Sequence, residues 1–91
     1  MKKSILVKKN PRLIARMIEN EFTILDPKTG ALYQLNETAS YIWKFLWKQR
    51  NYDEITNKLM ARFEGDKKNV KKDVNDFIAS SFKNGLLVRA K

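Results

Sequence analysis

Ninety-one residues, 43% hydrophobic and 32% charged, allow one small domain with a single core. No run nears the ~20 apolar residues that a bilayer requires, which excludes a membrane span. The absence of Cys excludes a disulfide scaffold or thiolate metal site, and the absence of His removes the commonest metal ligand and acid–base group. No cofactor is expected.

The net charge of +9 is uneven: Lys2, Lys3, Lys8, Lys9, Arg12 and Arg16 all precede the first acid, Glu19. Such basicity points to nucleic acid, an anionic surface or an acidic partner. The first residues begin like a signal peptide, but Lys8 ends the apolar run Ile5-Leu6-Val7. An h-region needs roughly 7–15 apolar residues, so a cytoplasmic chain is expected. Residues 1–10 read as a basic, flexible arm ahead of one domain over residues 11–91.

Within that domain, the apolar residues of 12–18 suggest a short strand without a clear period, and Glu19-Asn20-Glu21 reads as a turn. Phe22-Thr23-Ile24-Leu25 is β-branched and aromatic and predicts a second strand. Asp26-Pro27-Lys28-Thr29-Gly30 is a turn, with Pro27 presetting φ and Gly30 accepting a positive φ. Residues 31–35 then return as a third strand, Tyr33 and Leu35 inward, Leu32 and Gln34 outward.

Asn36 is an N-cap type with Glu37 in the first turn behind it. Ala39, Ile42, Trp43 and Leu46 give the stripe of an amphipathic helix running to Lys48, and Phe45 and Trp47 widen it. Both Trp residues are expected in the core or at its edge. Asn51-Tyr52-Asp53 caps a second helix over residues 53–63 that buries Ile55, Leu59 and Phe63, with Gly65 as its C′ residue. A third helix, from Lys67 or Asn69 to Asn84, carries Val70, Val74, Phe77, Ile78 and Ser81 on one side. Gly85 ends it, and Leu86-Leu87-Val88 is expected to cross back to the sheet. The fold class is therefore α+β and winged helix-turn-helix-like: a three-stranded antiparallel sheet followed by three helices.

The acids fall mostly at caps and turns, and the pair Asp73 and Asp76 has neither a metal-ligand pattern nor a base beside it. An enzyme is not expected. In a DNA-reading winged helix the third helix enters the major groove. Here it would offer two aspartates and no Arg, so nucleic acid is the disfavoured alternative, supported mainly by the basic arm. Peptide binding fits better. The third strand closes a hairpin and leaves an edge that an extended peptide can complete. The candidate site is Ala31, Leu32, Tyr33, Gln34 and Leu35 facing the third helix, with Phe77 and Ser81 as its floor and Asp73, Asp76, Ser80 and Asn84 as its rim.

Over residues 22–88 the chain resembles the PqqD-like family, or RiPP recognition elements. The features stand in order: Ile24-Leu25-Asp26-Pro27-Lys28-Thr29-Gly30; then Leu35-Asn36-Glu37-Thr38-Ala39 leading to Ile42-Trp43; then Tyr52-Asp53-Glu54-Ile55; then Asp73-Val74, Phe77-Ile78 and Gly85-Leu86-Leu87. Many members have a Gly where this chain has Lys48-Gln49-Arg50-Asn51. The resemblance implies binding of the leader segment of a ribosomally made precursor peptide, added as a strand along residues 31–35 against the third helix. It further implies delivery to a leader peptidase or other modifying enzyme. A stand-alone chain of this size looks most like the leader-binding protein of a lasso-peptide pathway, with a peptide chaperone of pyrroloquinoline quinone synthesis as the near alternative.

Overall fold

The computed structural model describes residues 5–63 and 66–90. In chain order its elements are β1 (Leu6–Lys9), β2 (Ile14–Ile18), β3 (Glu21–Leu25), β4 (Leu32–Gln34), α1 (Glu37–Phe45), β5 (Arg50–Asn51), α2 (Tyr52–Arg62), α3 (Lys67–Asn84) and β6 (Leu87–Arg89). The antiparallel sheet β2-β3-β4 and the three helices are those the sequence predicts. A second small sheet, ordered β5-β1-β6, is not.

Local chemistry explains the hairpins. Glu19 and Asn20 both have positive φ, 51° and 69°, the backbone of a two-residue turn whose twist matches its strands. Every residue of β2 is exposed, which is why its sequence shows no period. At the next turn the Gly30 N–H donates to the Asp26 carbonyl at 2.8 Å, with Gly30 at φ +78°.

The helices start at side-chain caps. Asn36 Oδ1 accepts from the Ala39 N–H at 2.8 Å. Asn51 and Glu54 form a reciprocal capping box at the head of α2, which starts one residue earlier than expected. Gly65, the expected C′ residue of that helix, lies outside the described residues.

Three expectations need correction. Residues 6–9 of the supposed arm form a paired strand, with Val7 only 1% exposed. The Lys9 ammonium lies 5.0 Å from the centre of the Trp43 ring, and burial lowers its pKa. A long stem on an aromatic face lets a basic segment join the core. Consequently β6 pairs with β1 and not with the hairpin sheet. Finally, α1 stops at Phe45, where Arg50 Nε donates to the Phe45 carbonyl at 3.3 Å. Trp47 therefore leaves the buried stripe and is 70% exposed, while Trp43 is buried.

The core lies between the sheets and the helices, built from Ile24, Ile42, Trp43, Ile55, Leu59 and Ile78 with their neighbours. No described helix is long and apolar enough to cross a membrane. Gly85 closes α3 at φ +79°, and a Cβ there would lie 3.6 Å from Arg12 Nη2, an ordinary contact. Gly85→Ala is thus expected to cost backbone strain alone, about 1–2 kcal/mol. Urea unfolding measures it, and an unchanged midpoint would show that the left-handed turn is not adopted.

Candidate peptide-binding edge

The β4 edge follows from the ladder that β4 makes with β3. The Asp26 N–H donates to the Ala31 carbonyl and the Leu35 N–H to the Phe22 carbonyl, both at 2.9 Å. With Ile24 opposite Tyr33, antiparallel alternation turns the backbone groups of Ala31, Tyr33 and Leu35 toward β3. Those of Leu32 and Gln34 face away. Because β4 is terminal in its sheet, no backbone hydrogen bond among the described residues closes that edge. Two outward N–H groups and two outward carbonyls stand ready for another strand.

Side chains follow the same alternation. Leu35 is buried and Tyr33 half-buried, on the face turned to the helices, while Leu32 is 68% exposed and Gln34 exposed. In cross-strand register Leu32 lies beside Leu25 and Ile14, an apolar row on the outer face of the sheet.

The facing wall is α3. Asp73, Asp76, Phe77, Ser80 and Asn84 fall on one stripe by helical spacing. Asp73, Asp76, Ser80 and Asn84 are exposed, and Phe77 is half-buried against the core. Ser81 is different: at 1% exposure it belongs to the core beneath the site, not to its accessible floor. The two walls meet where the Tyr33 hydroxyl makes a long hydrogen bond, 3.5 Å, to the Asn84 carbonyl. Asp73 is eleven residues away, roughly 16 Å along the helix axis. Ser80 and Asn84 are thus the rim residues nearest the contact point, and Asp73 and Asp76 lie progressively farther along the helix.

Sequence reasoning missed the residues that set the spacing of the walls. Arg12 donates from Nε and Nη2 to the two carboxylate oxygens of Asp26, at 3.0 and 2.8 Å. Asp26 Oδ1 also accepts from the Lys28 N–H at 3.0 Å, which fixes the turn leading into β4. Two residues before Arg12, Asn10 donates from Nδ2 to the Gly85 carbonyl at 2.9 Å and from its backbone to the Leu86 carbonyl at 3.0 Å. Residues 10–12 therefore form a strut from the β4 turn to the end of α3. The sequence signal was slight: a buried Asp at the head of a turn requires a partner, but a turn alone already accounts for an Asp there.

Two concavities lie elsewhere. One, about 570 Å³, opens between α1, α2 and the β2–β3 turn. The other, about 610 Å³ and more apolar, lies between α3, β6 and Ile5. Neither is lined by β4. A small domain with an open strand edge beside a helix belongs to the class that can receive an extended peptide by strand addition.

Comparison with known proteins agrees. The sequence matches the profile of the PqqD family, described as coenzyme PQQ synthesis protein D, over residues 21–87. The chain belongs to that family. No curated protein sequence matches it significantly. Among solved structures it is similar to TbiB1 in complex with the TbiA(beta) leader peptide, at 26% identity and a TM-score of 0.80, over 88% of this chain and 93% of that one. A lasso peptide synthetase B1 complexed with its leader peptide shares 21% identity with a TM-score of 0.78, over 90% and 96% of the two chains. The PqqD part of Methylobacterium extorquens PqqCD, described as a stand-alone RiPP recognition element, shares 18% with a TM-score of 0.77, over 97% and 94%. These last two likenesses speak to the fold.

The strut makes a pH signature. Its hydrogen bonds from Arg12, with those from the turn backbone, hold the Asp26 carboxyl at about 2, below its ordinary 3.8. A depressed carboxyl stabilises the fold fully above its unfolded value, near 4, and that contribution is lost as pH falls toward 2. The melting temperature should drop more steeply between about pH 4 and 2 in the native chain than in Asp26→Asn. Parallel slopes would mean that the pair does not hold the turn.

Proposed function

We propose that this chain binds the leader segment of a ribosomally synthesised precursor peptide as an added strand on β4, beside α3, and delivers it to a leader peptidase or other modifying enzyme. The carrying observation is the open backbone of Leu32 and Gln34 at the sheet edge. The leader complex of TbiB1, which aligns with this chain over most of both lengths, supports the same reading. The task is binding without chemistry. Backbone pairing gives affinity with little sequence information, and side chains of the leader that point toward Phe77, Ser80 and Asn84 supply the selectivity. Recognition of a freshly translated precursor also favours a cytoplasmic site of action.

A lasso-peptide pathway is the preferred setting, because a chain of this size resembles the leader-binding proteins of such pathways and the similar TbiB1 is seen with a leader peptide. The family profile favours a second reading, a peptide chaperone in pyrroloquinoline quinone synthesis, which would use the same edge. A short precursor gene beside those for a peptidase and a cyclase distinguishes the first from the second.

The ladder geometry selects a sharper test than disruption of the hairpin. Proline is tolerated on an edge strand when its missing N–H faces outward. Gln34→Pro removes one outward donor and leaves every bond to β3 intact, whereas Tyr33→Pro removes a bond to Ile24. Gln34→Pro is expected to weaken binding of the co-encoded precursor leader at least about tenfold with little change in melting temperature. Tyr33→Pro should lower both. Unchanged leader affinity in Gln34→Pro, or tighter binding of a DNA duplex than of the leader at physiological salt, would overturn the proposal.

A further inference from the structure

The concavity between α1, α2 and the β2–β3 turn has no role in strand addition, yet it has the chemistry of a recognition site. Tyr41, Phe45 and Phe63 form half-buried aromatic walls, and Trp47 stands at the mouth, 70% exposed. Three exposed cations line the same space: Lys44, Lys58 and Arg62. Among the described residues none of the three lies within ion-pair distance of a carboxylate. Instead, aromatic rings hold two of them, Lys58 and Arg62. Arg62 lies 5.6 Å from the centre of the Tyr41 ring and 5.2 Å from that of Phe63, and Lys58 lies 5.5 Å from that of Phe45. Beside the lining, Lys48 lies 5.4 Å from the Trp47 centre, and Arg50 lies 3.9 Å from that of Phe45 and 5.2 Å from that of Trp47 while pairing with Glu54 at 3.7 Å, so Arg50 is not among the free cations. Stacking fixes where the positive charge points without neutralising it.

We propose that this concavity is a second binding site, and that it takes an acidic segment of a protein partner bearing a bulky apolar side chain. The volume of about 570 Å³ suits a few side chains. The carboxylates of such a segment meet Lys44, Lys58 and Arg62, and its apolar residue covers Trp47. Nucleic acid fits less well. The cations ring a hollow walled by aromatic side chains instead of tracking a phosphate backbone. No lining residue belongs to β4 or α3, and Met17 and Asn20 place the site by β2, across the sheet from β4. Both sites can therefore be filled together. Calling the occupant the modifying enzyme rests on the leader-binding reading; the site itself does not.

Trp47 is a built-in reporter, since Trp43 is buried. The probe is a short synthetic peptide of Glu, Leu and Phe without Trp, titrated into the full chain while iodide quenching of Trp emission is followed. The acidic peptide should protect Trp47 from the quencher, and its Gln-for-Glu counterpart should bind about tenfold more weakly. The double variant Lys58→Glu/Arg62→Glu should lose about tenfold or more in affinity. Lys71→Glu/Lys83→Glu, which changes net charge equally on exposed α3 positions, should not. Melting curves check that both variants fold. Equal weakening by the two double variants would reduce the effect to overall charge and overturn the site. So would no protection of Trp47, or a single-stranded DNA that binds there more tightly than the peptide. A leader that failed to bind β4 would leave all these outcomes unchanged.

Discussion

The bidentate pair between Arg12 and Asp26 carries the architecture of the candidate binding edge. Asp26 is only 1% exposed, so its charge is tolerable because Arg12 and the turn backbone satisfy it. One carboxylate thus ties together the turn that launches β4 and the segment that runs back to Asn10. Through Asn10 the tie reaches the Gly85 and Leu86 carbonyls, where α3 ends. Strand and helix are otherwise joined at this end by the long Tyr33–Asn84 hydrogen bond. A cleft with flexible walls would spend part of its binding free energy on ordering them; a braced one does not.

Much of this was legible from residue types. Gly30 and Asp26 gave the turn, the alternation of Tyr33 and Leu35 gave the inward face, and Asn36 and Asn51 gave the helix starts. These are local signals, each with a mechanism confined to a few residues. What stayed hidden depended on distant partners. Nothing local says that Leu6–Lys9 is a strand, because its hydrogen bonds go to β5 and β6 far along the chain and Lys9 looks solvated until the Trp43 ring lies under it. Trp47 continues the helical period on paper, but α1 ends before it. Ser81 has the spacing of an accessible floor and the burial of a core residue. The Arg12–Asp26 link spans fourteen positions and leaves no periodic trace.

The domain separates its surfaces. One edge of the hairpin sheet, β4, has free backbone and touches the end of α3 through Tyr33 and Asn84. The far side of the sheet, by β2, adjoins a hollow where aromatic rings hold cations in place. Backbone pairing accepts many sequences and side-chain pockets discriminate among few, so a chain that carries both can hold a variable peptide and dock one specific partner. That division would suit the proposed delivery of a bound peptide to a second protein.

Amide hydrogen exchange at Leu32 and Gln34, resolved by NMR with and without the precursor leader, tests the central claim most directly. In the free chain both amides should exchange fast while the Tyr33 amide is slow, and leader binding should slow the first two together. Slow exchange at Leu32 and Gln34 before any peptide is added would mean that the edge is already paired, and the account would fail.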